Sequence, residues 1–246
     1  MTSADLPTWS SIADWYDELL EAGSGPHQTA VACLGELTGD VRGLDVLDIA
    51  CGQGIAARDL ARRGARVTGV DYAESMIANA TRHGTPEGTA IDYRVDNAEA
   101  LSTVADASFD GVTCQLGLMD IPDLEATLDS VARVLRPSGW FVFVIGHPAF
   151  LAPRAQRTTL DDGRPAAAIA EYFEEQFWRS PNPEGVRRAG NYHRTLSTYV
   201  NALCDAGFLI ERFAEPKANE LLARQQPLYA HVPIFLAARV RRTVTS

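Results

Sequence analysis

The chain has 246 residues, 46% of them hydrophobic, which suits one large domain or a domain with a substantial insertion. Its 22 basic and 32 acidic side chains leave a net charge of −10, which argues against nucleic-acid backbones and anionic membrane surfaces as partners. Lys217 is the only lysine, and its Glu-Pro-Lys-Ala-Asn setting lacks the glycines of a phosphate-binding loop. Cys33, Cys51, Cys114 and Cys204 show no Cys-x-x-Cys spacing, so reduced thiols are expected rather than a disulfide or zinc framework. Neither a secretion signal nor a bilayer-length apolar stretch is visible, and a cytoplasmic protein is expected.

Residues 9–22 place Trp9, Ile12, Trp15, Tyr16, Leu19 and Leu20 at helical spacing, and Gly23 to Pro26 breaks the pattern before a second helix reaching about Leu37. Short apolar runs at 44–50, 65–70, 91–95, 109–116 and 140–145 read as buried strands. Helical patterns at 54–63, 73–83 and 123–135 fall between them, and such alternation implies crossovers and a doubly wound α/β sheet. Residues 148–190 hold eight Pro and Gly and an aromatic stretch, Tyr172–Trp178, expected to be helical, in an insertion over the sheet's C-terminal edge. A helix at 195–206 and strands at 209–214 and 232–240 close the domain, making seven strands. The expected organisation is an N-terminal helical cover (1–40), a core (41–147 and 195–246) and a cap after strand five (148–194).

The most informative segment is Val46-Leu-Asp48-Ile-Ala50-Cys-Gly52-Gln-Gly54, a strand, a glycine turn and a helix start. Glycines at 52 and 54 would let the backbone approach a ligand. Asp71, at the end of the second strand, is placed to bind ribose hydroxyls. Gly52 to Ala57 also satisfies a dinucleotide fingerprint, so an NAD(P)-dependent oxidoreductase is one alternative. Asp48, however, would repel a pyrophosphate and attract an ammonium group.

Asp48 to Gly54 resembles the first motif of class I S-adenosylmethionine-dependent methyltransferases, with Ala50 in place of the usual first glycine. Gly69-Val-Asp71-Tyr-Ala-Glu-Ser-Met76, Val95-Asp-Asn-Ala-Glu-Ala-Leu101, Phe109 to Leu116 and Leu135 to Phe143 resemble the next four, in order. The resemblance covers roughly residues 12–146 and points to small-molecule enzymes of the ubiquinone-biosynthesis and natural-product type. It implies a Rossmann-like fold, S-adenosylmethionine as cofactor and S-adenosylhomocysteine as product. It further implies a small-molecule acceptor, aromatic or polyketide-like, with oxygen, nitrogen or carbon methylated. A non-catalytic adenosyl-binding protein of the same fold is a second alternative.

By that resemblance Asp48 would orient the methionine ammonium beside backbone groups of Ala50 and Gly52, with Gly54 closing the turn. Asp71 would hold the ribose, Tyr72 and Met76 would flank the adenine, and Asp96 or Asn97, with Ala98, would meet its edge. Gln115 and Leu116 would line the methionine end. Tyr16 would close over the carboxylate, unless it and Trp15 only pack their helix on the sheet. His147, ending strand five, is the expected base or orienting group, the alternative being a loop hydrogen bond. Tyr192 and His193 face the pocket or tie the insertion down. His27 and Asp120 are further residues that could reach the site, with surface exposure or capping favoured for Asp120. No metal site is evident.

Overall fold

The computed structural model describes residues 8–243; the first seven residues of the expected cover lie outside the described residues. Seven strands form one sheet: β1 Asp45–Ile49, β2 Arg66–Asp71, β3 Ile91–Val95, β4 Phe109–Gln115, β5 Leu135–Gly146, β10 Phe208–Ala214 and β11 Phe235–Arg242. Their order is β3-β2-β1-β4-β5-β11-β10. The first five run parallel, while β11 is antiparallel to both β5 and β10. The Rossmann-like sheet expected from the strand–helix alternation is therefore present. The order reverses between β1 and β4, and open α/β sheets bind ligands beyond the strand ends at that point.

Helices cover both faces, which is why the central strands read as unbroken apolar runs. Val46, Val142 and Val144 pack toward α2 (Gly25–Thr38) and α3 (Ile55–Arg62), meeting Leu34 and Leu60. The alternate residues Leu47, Phe141 and Phe143 pack toward α5 (Leu124–Val134) and α6 (Leu196–Asp205), meeting Leu128 and Leu203. This alternation is the two-residue period of a strand.

The N-terminal helix α1 (Trp9–Glu21) begins in a capping box between Thr8 and Ser11. Its buried Asp17 accepts hydrogen bonds from Arg82 at 2.6 Å and His83 at 2.7 Å, which tie it to α4 (Glu74–His83). The helix thereby lies across the strand ends.

The segment after β5 differs from expectation. Two hairpin-like pairs form there, β6 (Gln156–Thr159) with β7 (Pro165–Ala168), and β8 (Gln176–Trp178) with β9 (Asn191–His193). The aromatic stretch Tyr172–Trp178 is not helical: it turns and then enters β8. Phe177 pairs with Tyr192 across the ladder, with ring centroids 4.9 Å apart. A helix there would have had no core to bury its apolar face, whereas the cross-strand pair stabilises the extended form. A short helix, α7 (Glu220–Gln225), also appears where a plain connection was expected. The Asn219 side chain caps it, and its backbone sits against Gly25 so closely that a Cβ there would come within 2.6 Å of Leu222 N.

Candidate active site

A cleft of about 550 Å³ opens beyond the C-terminal ends of β1, β2 and β4, roofed by α1 and the β8–β9 pair. The chain turns sharply at two strand tips, where Ala50 (φ 48°) and Leu116 (φ 57°) adopt left-handed backbone. Such a conformation costs a residue with a Cβ about 1–2 kcal/mol, and strain of this kind concentrates at functional sites. Gly52 is left-handed as well, and a Cβ built on it would meet no atom within 4 Å. A ligand can thus approach the peptide there.

Three carboxylates shape the inner wall. Asp48, on β1, accepts from the Thr113 hydroxyl at 2.7 Å through Oδ1, while its buried Oδ2 has no partner. Burial pushes the Asp48 carboxyl up to about 7, against the pull of the Thr113 hydroxyl and the Ala57 N–H and with a small push from Asp71. Asp71 accepts the Gly52 N–H through Oδ2 and the Ala73 N–H through Oδ1, both at 2.9 Å. Burial raises its pKa despite these bonds. Asp120, in the loop after β4, also lines the cleft; burial pushes it up to about 8, against the pull of Arg187.

Tyr72, Met76, Asp96, Asn97 and Ala98 line the outer part of the same cleft. Asp96 is occupied by its own loop: the N–H groups of Asn97, Ser102 and Thr103 and the Thr103 hydroxyl all donate to it. Burial raises that carboxyl, but these bonds outweigh it and hold the pKa below the usual range. Asp96 therefore shapes the loop that presents Asn97 and Ala98. Gln115 and Leu116 line the far end, where Gln115 Oε1 is buried without a partner. Tyr16 faces the cleft from α1 and shares a 2.6 Å hydrogen bond with His27 Nε2; Ser24 Oγ meets His27 Nδ1 at 2.7 Å. Burial lowers His27 to about 4, so the ring is neutral at pH 7.

Three expectations need correction. Gly54 does not line the cleft; its φ of 82° and lack of a side chain accommodate Tyr93, whose ring fills the space a Cβ would take. His147 is also outside. Its Nε2 pairs with Glu215 at 2.9 Å, its Nδ1 accepts from the Ala149 N–H at 3.2 Å, and it borders a separate small cavity. We expect His147→Ala to leave affinity for S-adenosylhomocysteine unchanged by calorimetry and to lower stability by no more than about 1 kcal/mol, since Glu215 is half-exposed. His193 borders the same small cavity and donates from Nε2 to the Tyr172 carbonyl at 2.8 Å, tying the cap together. Tyr192 does line the cleft, beside Phe177.

Sequence reading underweighted Asp120 and His27. Asp120 looked like a capping residue, but Asp123 caps α5. His27 stands on a helix whose buried face was visible, yet its partnership with Tyr16 needs the fold.

Residues 47–143 match the methyltransferase-domain family model. The chain is 39% identical over 145 residues to the ubiquinone biosynthesis O-methyltransferase of Paracidovorax citrulli, covering 57% of this chain and 60% of that protein. The corresponding protein of Bordetella avium is 38% identical over 145 residues, covering 57% and 59%. The chain thus spans about 60% of the length of these two relatives, and less than half of several others of the same name. A crystal structure of an S-adenosylmethionine-dependent methyltransferase from Mesorhizobium loti is similar over 90% of this chain and 99% of its own, with 29% identity and a TM-score of 0.73. Residues 47–143 thus match a methyltransferase domain, and the chain is similar in sequence and fold to S-adenosylmethionine-dependent methyltransferases.

The residues present fit that cofactor. An unpartnered carboxylate oxygen on Asp48 suits an ammonium, and Asp71 suits a ribose diol. Buried Asp48 and Asp71 and the half-buried Asp120 would, when ionised, repel the pyrophosphate of a nicotinamide cofactor.

Proposed function

We propose that the protein methylates a small-molecule acceptor, an aromatic or polyketide-like metabolite, at oxygen, in the cytoplasm. The observation that carries this reading is the buried Asp48 Oδ2, an acceptor without a partner at the switch point. Such a group is costly unless a ligand completes it. The names of the relatives support an oxygen acceptor, and the Phe177 and Tyr192 rings support a flat one.

When bound, S-adenosylmethionine supplies a methyl carbon already activated by its sulfonium. The remaining work is binding, orientation and exclusion of water. Asp48 would hold the ammonium and Asp71 the ribose. Asn97 and Ala98 would meet the adenine edge, with Tyr72 and Met76 on either side. Tyr16, fixed by neutral His27, would close over the methionine end with Gln115 and Leu116 below.

A pH dependence follows. Asp48 is held near 7 and an adjacent ammonium favours its ionised form. The cleft therefore holds more protons before binding than after it, and acid opposes binding. Affinity for S-adenosylhomocysteine should fall by up to about tenfold per pH unit below 7. Calorimetry in buffers of different ionisation heat should show proton release near pH 7, lost in Asp48→Asn. A flat profile without proton release would remove the ammonium assignment.

The activity is tested with purified protein, S-adenosylmethionine and catechol, followed by mass. Thermal stabilisation by S-adenosylhomocysteine but not by NADH is expected alongside methyl transfer, and the reverse selectivity would overturn the reading.

A further inference from the structure

Asp120 occupies the part of the cleft that cofactor binding leaves unexplained. Asp120 is half-buried and lines the cleft. An exposed loop would let such a group swing into water, but this loop is pinned. Arg194, buried after β9, donates to the carbonyl oxygens of Ile121 at 2.8 Å and Pro122 at 2.6 Å, and at 3.4 Å to that of Leu118. The Tyr192 N–H donates to the Met119 carbonyl at 2.7 Å, and the Asp120 N–H to that of Gly117 at 2.8 Å. Backbone is therefore held on both sides of Asp120.

Tyr16, Tyr72, Asp71, Arg187, Arg194 and Tyr199 lie close enough for their charges or hydroxyls to interact with its carboxylate. The Phe177 and Tyr192 rings wall the same space. A half-buried carboxylate held at one place in the cleft wall is available to a ligand that donates to it.

We propose that Asp120 is the acceptor-facing group of the cleft: in its ionised form the carboxylate receives the hydrogen bond, then the proton, of a phenol, and in that form its charge turns away acceptors bearing a carboxylate. The assignment rests on the methyl-transfer reading above. In the step it serves, the phenol O–H bond breaks, leaving its electron pair on oxygen and the proton on Asp120. That oxygen pair forms the bond to the methyl carbon while the carbon–sulfur pair passes to sulfur. The products are a methyl ether, a neutral thioether and protonated Asp120, which returns its proton to water.

The test is run at about pH 9, above the value of about 8 to which burial pushes Asp120, and uses protein loaded with S-adenosylhomocysteine for binding, and with S-adenosylmethionine for turnover, with catechol and benzoate as probes. Wild type should bind catechol at least about tenfold more tightly than benzoate. Asp120→Asn keeps the shape and removes the charge. It should retain S-adenosylhomocysteine affinity within about twofold, lower catechol turnover by about 100-fold and shrink the catechol preference by about tenfold. Asp120→Ser, smaller and uncharged, should behave alike and serves if the first variant does not fold. Wild-type turnover and preference in the variant, equal binding of benzoate and catechol to wild type, or binding of neither would each overturn the assignment. Failure of S-adenosylhomocysteine to bind wild type would instead overturn the methyl-transfer reading, and this assignment with it.

Discussion

Asp71→Ala should weaken binding of S-adenosylhomocysteine by about 100-fold or more, a loss read directly by calorimetry. Two effects combine. A carboxylate facing a ribose diol contributes charge-assisted hydrogen bonds, each about 1.5–3 kcal/mol. The same carboxylate fixes the glycine turn, because its oxygens hold the Gly52 and Ala73 N–H groups. Asp71→Asn retains one acceptor oxygen and should fall in between, near tenfold. The folded state should also lose about 1–3 kcal/mol, because the Gly52 and Ala73 N–H groups lose their acceptor, partly offset by removing a carboxyl whose pKa burial raises. Wild-type affinity in Asp71→Ala would refute the ribose assignment.

Gly54→Ala should destabilise the fold by about 2–4 kcal/mol in denaturant unfolding. One part is the left-handed backbone at φ 82°, unfavourable for any residue with a Cβ. The other is Tyr93: a new Cβ would lie 2.8 Å from its Cζ and closer still to its hydroxyl oxygen. Tyr93→Phe removes that oxygen, which is buried without a hydrogen-bond partner, so it should cost little alone. Combined with Gly54→Ala it should recover part of the loss, a coupling measurable as a double-mutant cycle. Additive effects would show that the glycine serves only the backbone conformation.

This pair also shows where sequence reading stops. The glycine at 54 was legible as a motif position, and its neighbours Asp48, Ala50 and Gly52 do face the cleft. Gly54 turns the other way, toward a tyrosine 39 positions along the chain on β3. No local pattern encodes that approach. His147 failed as a predicted base for a related reason. Its place at the end of an apolar strand was correct, but the partner that turns it aside, Glu215, follows β10 far along the chain. The helix expected at Tyr172–Trp178 rested on aromatic spacing alone, and pairing with β9 overrode it.

The sequence alone determined the parts of the molecule governed by local rules. Strand and helix periods defined the seven-stranded sheet, since buried strands and amphipathic helices repeat their apolar residues at different intervals. The strand–turn–helix at Asp48 to Gly54 and the acid at Asp71 located the cofactor side of the cleft, because that chemistry is concentrated at strand ends close in sequence. The acceptor side was decided only by tertiary structure. Its walls come from α1, the loop after β4 and the β8–β9 pair, segments up to some 180 residues apart that share no common period. Asp120 becomes an acceptor-facing carboxylate because Arg194 and Tyr192, more than seventy residues later, pin the loop that carries it.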